Sequence, residues 1–299
     1  MRYIDGGVCA SKGFKATGLN AGIKNNVKKD MALVFSEMPC VKAGTFTTNR
    51  VCAAPVKWDK KVVFESKSAQ AIVVNSGIAN ACTGEEGYEK CREMAAKTAE
   101  KLGIDEDAVL VASTGVIGKQ LPMDIIGKGI DRLPGQLGET AADAALAAEA
   151  IMTTDTKSKQ VAVEFEIEGT MVHIGGMCKG SGMIHPNMAT MLCFITSDAA
   201  IDEKFLQNMV RSIVDDTFNM ISVDGDTSTN DSVLLLANGM AGNKKIENEN
   251  SAGYKEFYDA LFYILCELSK KIAGDGEGAT CLFEVQMKNV KAKACLHTP

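Results

Sequence analysis

Residues 161–168 read Val-Ala-Val-Glu-Phe-Glu-Ile-Glu, and this run constrains the fold more than any other stretch of the chain. Side chains of a strand point alternately to opposite faces, so the run has one apolar face and one mainly acidic face. Glu168-Gly169-Thr170 is a turn signal, and Met171 to Ile174 supplies a second strand. The pair is predicted to be a hairpin with one packed face.

A helix of matching strength comes later. Tyr254, Phe257, Leu261, Leu265, Leu268 and Ile272 step by three and four, which places them on one helical stripe. Lys270 and Lys271 suit its negative end, and Gly274 stops it. Tyr88, Cys91, Ala95, Ala99 and Leu102 form a second stripe that ends at Gly103. Thr140 and Asp143 have capping-box spacing and open an alanine-rich helix to about Met152. Asp202 is predicted to cap a helix running to about Phe218.

Short apolar runs at 71–74, 109–112, 191–196 and 233–237 read as strands. The first eighty residues read as short strands and turns. Strands and helices alternate irregularly, so the expected class is mixed α/β in α+β layers rather than a regular doubly wound sheet.

Composition narrows the function. With 299 residues, 46% of them hydrophobic, the chain can bury one large core or two moderate ones. Its net charge of −6, with basic residues scattered, disfavours nucleic-acid binding. No run approaches the ~18 apolar residues of a membrane span, and the start lacks the apolar core of a secretory signal. Ten cysteines include no C-x-x-C pair and read as reduced thiols, so a cytoplasmic location is expected. Three histidines without H-E-x-x-H exclude that zinc motif, and G-x-S-x-G and the Walker loop are absent. No metal and no cofactor are expected.

The densest anomaly is Met177-Cys-Lys-Gly-Ser-Gly-Met-Ile-His-Pro-Asn-Met-Ala-Thr190. Small residues after Lys179 let the backbone pass close to a ligand, and Pro186 holds His185 extended. Taken alone, Thr190 is a hydroxyl at a strand edge and the loop a turn. If the Ala189–Thr190 peptide is cut, however, Thr190 carries a nucleophilic hydroxyl and a free α-amine. With a reference pKa of about 7.7–8.0 that amine can act as the hydroxyl's own base, which suits a chain so poor in histidine.

The run from Lys179 to Leu192 closely resembles the self-cleavage segment of the bifunctional ornithine acetyltransferase/glutamate N-acetyltransferase family of arginine biosynthesis. Six more blocks match in order: Lys12-Gly-Phe-Lys-Ala-Thr-Gly18, Ala43-Gly-Thr-Phe-Thr-Thr-Asn-Arg50, Asn75-Ser-Gly-Ile-Ala-Asn-Ala-Cys-Thr-Gly84, Ser113-Thr-Gly-Val-Ile-Gly118, Met152-Thr-Thr-Asp155 and Asp275-Gly-Glu-Gly-Ala-Thr280. The resemblance runs from about Gly6 to Val285.

It implies that the protein cuts itself between Ala189 and Thr190 and that Thr190 becomes acetylated. Thr114 and Gly115 would then form the oxyanion hole, while Thr153, Lys179, Thr190 and Glu277 bind substrate. It implies acetyl transfer from N-acetylornithine to glutamate, with acetyl-CoA as a further substrate in some members. It also implies a two-domain layered sandwich, cut into an α chain (1–189) and a β chain (190–299) that assemble as an α2β2 heterotetramer. Neither nucleic acid nor membrane is an expected partner.

Ile78 and His185 stand where the family more usually has asparagine and a small residue. The resemblance implies a strand at Cys281–Val285 and members normally continue well past it, whereas residues 287–299 match nothing in the family. The expectation is therefore a shortened copy, poorly soluble or weakly active, with the apolar face of the Tyr254–Ile272 helix left partly uncovered. The alternatives are a self-processed aminopeptidase-like hydrolase and an inactive remnant. Asp224-Gly-Asp-Thr-Ser-Thr-Asn-Asp231 starts like a calcium loop but lacks the glycine and glutamate required later, and reads as a polar loop near the site.

Overall fold

The computed structural model describes residues 1–24, 27–185 and 191–285. Its elements follow in chain order: β1 (Arg2–Ile4), β2 (Phe14–Leu19), β3 (Met31–Phe46), α1 (Ala54–Glu65), β4 (Ala69–Ile78), α2 (Gly84–Leu102), β5 (Val109–Val116) and α3 (Met123–Arg132). The second half adds α4 (Ala141–Ala150), β6 (Lys159–Ile167), β7 (Thr170–Lys179), β8 (Leu192–Ser197), α5 (Glu203–Asp215), β9 (Ser232–Ala237) and α6 (Tyr254–Ala273). The strands are hydrogen-bonded in the order β1-β6-β7-β8-β9-β3-β4-β5, with β2 also on β3. Among the described strands only β4–β5 and β8–β9 pair in parallel, and each pair is joined through a helix, as parallel strands require.

Long β3 ties two sheets together. Its first half, Met31 to Phe35, pairs with β2 and β4, and its second half, Val41 to Phe46, pairs with β9. The register breaks between Phe35 and Cys40, where Glu37, Met38 and Pro39 are exposed. Pro39 has no N–H to give a ladder, so it fits at the corner where the strand changes sheet.

Strands β8 and β9 are buried on both faces. Cys193, Ile195, Val233 and Leu235 face a core shared with Leu206 and Val210 of α5 and Phe257, Leu261 and Leu265 of α6. Leu192, Phe194, Leu234 and Leu236 alternate with them and enter a second core with β2, β4, β5 and α1 to α4. The architecture is therefore layered mixed α/β, the class expected from the pattern of elements.

The β6–β7 hairpin, the capping box at Thr140 and the left-handed stop at Gly103 occur where the sequence places them. Three expectations need correction. The first eighty residues hold a 16-residue strand and a 12-residue helix, not only short strands and turns. Cys281–Val285 has no ladder partner and is exposed, so it is not a strand. The apolar stripe of α6, expected to be partly uncovered, is fully buried at Phe257, Leu261, Leu265, Leu268 and Ile272. Each such side chain contributes about 1.5–3 kcal/mol relative to exposure. Among the described residues no helix is long and apolar enough to cross a membrane.

Candidate active site

Four strand ends and two loops converge on Lys179. It is the last residue of β7, and the antiparallel register sets it opposite Leu192, the first residue of β8. Parallel pairing sets Ser232 of β9 against the same Leu192, so residue 231 stands beside residue 191. In the neighbouring sheet, Asn75, Ser76 and Gly77 of β4 pair with Ser113, Thr114 and Gly115 of β5.

The Lys179 side chain is only 3% exposed. Its Nζ donates to Thr153 Oγ1 at 2.7 Å and to Thr114 Oγ1 at 3.4 Å, and lies 3.9 Å from Asp155 Oδ2. Burial lowers its pKa, while Asp155 opposes that shift and neighbouring Lys159 adds to it. Of the two threonines at 153 and 154, Thr153 is the one turned to the lysine, and Thr154 is exposed.

Asp155 organises this corner and was not singled out by sequence reasoning. Its carboxylate accepts from Lys159 Nζ at 2.7 Å, Gly180 N–H at 2.7 Å and Thr153 N–H at 3.0 Å. Burial alone would raise its pKa, but Lys179, Lys159 and these hydrogen bonds outweigh burial and hold it below the usual carboxylate value. Lys159 also meets Asp275 at 2.6 Å, so two cations and two carboxylates balance beneath the site. A buried cation without such partners would be costly.

Gly115 lies beside this corner with φ +129°, and a Cβ there would sit 2.3–2.4 Å from the Gly77 carbonyl. Only glycine fits there, directly after Thr114 in the chain. Glu277 comes from the loop after α6. Its N–H donates to Ser181 O at 2.8 Å, and its carboxylate lies within 2.7–2.9 Å of where a Cβ on Gly182 would be. His185 is exposed. The Asp224 carboxylate accepts the N–H groups of Met183 and Ile184, the latter at 2.8 Å, so its loop holds backbone. Ala189 and Thr190 lie outside the described residues.

Lys179 thus meets Thr114 and Thr153, with Gly115 next in the chain after Thr114 and Glu277 against Gly182, although these residues come from four separate segments of chain. The family model described as the ArgJ family matches residues 15–297. The chain belongs to the ArgJ family. The match extends to residue 297 and takes in most of the tail that the motif blocks leave out, which corrects the reading of that tail as unrelated.

The ArgJ bifunctional protein of arginine biosynthesis from Symbiobacterium thermophilum is 55% identical over 96% of this chain and 71% of its own length. A glutamate N-acetyltransferase of Methanocaldococcus jannaschii is 50% identical over 98% of this chain and 70% of its own. The ArgJ family is therefore an acyltransferase family of arginine biosynthesis. Among solved structures, ArgJ of Bacillus halodurans aligns with a TM-score of 0.60 at 43% identity, over 63% of this chain and 98% of that one. Ornithine acetyltransferase of Mycobacterium tuberculosis, complexed with ornithine, aligns at 0.58 and 39% identity, over 62% of this chain and 97% of that one. An aminopeptidase of Ochrobactrum anthropi, described as a variant among the Ntn-hydrolase fold, aligns at 0.50 and 12% identity. That likeness concerns the fold alone.

Proposed function

We propose that the chain cuts itself between Ala189 and Thr190 and then carries acetyl from N-acetylornithine to glutamate on Thr190. The observation that carries this reading is the meeting of Lys179 with Thr114 and Thr153, in a register that sets Lys179 opposite the residue two places after Thr190. Chain length agrees with the cut. The Bacillus halodurans chain is nearly all used by 63% of these 299 residues, about 188, and a fragment ending at Ala189 has that size.

The chemistry divides among the residues as follows. Thr190 Oγ attacks the acetyl carbonyl while the Thr190 α-amine takes the hydroxyl proton. Thr114 O–H and Gly115 N–H hold the oxyanion of the tetrahedral intermediate. The C–N bond then breaks, the proton passes to the departing amine, and ornithine leaves. The glutamate amine attacks acetyl-Thr190 in the reverse sense and departs as N-acetylglutamate. Lys179 and Thr153 receive the substrate carboxylate, and Glu277 offers an acceptor for an ammonium group.

Acetyl-CoA can load the same threonine, because a thiolate is a better leaving group than an amine. We also propose that the two fragments remain together as α2β2. Denaturing gels with N-terminal sequencing test the cut, and product analysis with N-acetylornithine tests transfer. New fragments starting at Thr190 and glutamate-dependent release of ornithine are expected. Release of acetate at the same rate without glutamate would instead identify a hydrolase. Thr190→Ala should abolish cutting and transfer together.

A further inference from the structure

The loop before β9 contains two adjacent side chains that reach the two halves of the site separately. Asn230 is 7% exposed, and its amide nitrogen donates to Ser113 O at 2.8 Å and to Ala79 O at 2.6 Å. Ser113 is the residue before Thr114. The amide oxygen of Asn230 is held in turn by the Thr229 hydroxyl at 2.5 Å, so its two donors are aimed and not free to flip. Asp231 is fully buried, and its Oδ1 accepts the N–H of Met191 at 2.8 Å. Met191 is the residue after Thr190.

The dipeptide is itself fastened from behind. Thr47 N–H donates to Asp231 O, Ala53 N–H donates to Thr229 O, and the Thr47 hydroxyl donates to Ser228 O, each at 2.9 Å. Burial pushes the Asp231 carboxyl up to about 8, against the Met191 N–H, Ser228 and Lys179. Near neutral pH the side chain is therefore an uncharged acceptor, and an amide has nearly the same shape.

Resting on the function proposed above, we infer that Asn230-Asp231 is a positioning clamp: Asn230 fixes the Thr114-Gly115 loop, Asp231 fixes the segment that follows Thr190, and one rigid loop sets the spacing between them. Backbone spacing of this kind matters because oxyanion donors act only at hydrogen-bond distance from the developing charge. A misplacement of about 1 Å costs on the order of 10²-fold in rate. The clamp makes no hydrogen bond to Lys179 or Thr153, so its expected effect falls on rate more than on substrate affinity.

The test uses the full 299-residue chain. Self-cleavage rate, and kcat and KM for N-acetylornithine, are measured per cleaved and acetylatable Thr190. Asn230→Ala and Asp231→Ala should cut more slowly and lose about 10–100-fold in kcat, with KM within about twofold. Asp231→Asn keeps an acceptor for Met191 N–H and should stay within about threefold of the wild type near pH 7. Wild-type kcat in both alanine variants, or a rise in KM with kcat unchanged, would overturn the clamp. If Asn230→Ala does not fold, the two Asp231 variants decide, and equal losses in both overturn it. A wild type that neither cuts nor acetylates removes the underlying reading. A cutting wild type with full-speed variants removes only the clamp.

Discussion

Thr114 accepts from Lys179, and because an ammonium can only donate, the threonine keeps its own proton for another partner. That proton is the one an oxyanion would receive. Thr114→Ala should lower kcat by about 10²–10³-fold while Gly115 N–H remains, as steady-state kinetics on the cleaved protein would measure. A different residue, His173, carries a prediction about pH. Its ring Nδ1 lies 2.7 Å from Asp198 Oδ2, and this hydrogen bond, partly offset by burial, raises its pKa. The charged ring therefore stabilises the fold fully below the unfolded value of about 6.5, and that contribution is lost as pH rises through the raised folded value. The Tm deficit of His173→Gln should be larger near pH 5.5 than near pH 8.5, and equal deficits would refute the linkage. At this scale the sequence displays chemistry better than support. Lys179, Thr114 and Glu277 stand in motifs, whereas Asn230 and Asp231 act on backbone groups 117 and 40 residues away. No local spacing rule exposes such a pair.

Elements were legible where one period ruled a whole segment. Helix α6 and the β6–β7 hairpin obey periods of 3.6 and 2, and each buries the face its pattern marks. Helix α1 escaped notice because Asp59 interrupts its apolar stripe. In the fold that aspartate is buried and accepts Val111 N–H at 2.8 Å, a partner 52 residues distant. Strand β3 escaped because Glu37, Met38 and Pro39 break its alternation at the corner between sheets. Cys281–Val285 shows the opposite error, since a segment carried over as a strand forms one only where a partner ladder exists. Local signals of the capping kind translate directly into stability. The Thr140 hydroxyl accepts Asp143 N–H and the Asp143 carboxylate accepts Thr140 N–H at the start of α4. Thr140→Ala should cost about 1 kcal/mol in urea unfolding, with an unchanged slope against denaturant.

Across the whole molecule, the strand order decides what a cut at residue 189 would leave. Strands β8 and β9 come after that point in the chain but lie between β7 and β3, which come before it. Two such fragments would share ladders on both sides and two hydrophobic cores. A tag on either fragment should retain both through size-exclusion chromatography, and only denaturant should part them. The interleaved strands also change how the protein can recover from damage. An uncut chain finds its fold as one molecule, at a rate indifferent to dilution. A cut chain that has melted must find a separate partner before any strand can take its place between the others. Refolding yield should fall with dilution for the cut protein and stay level for Thr190→Ala, so the proposed processing would exchange reversible folding for endurance set by the rate of unfolding.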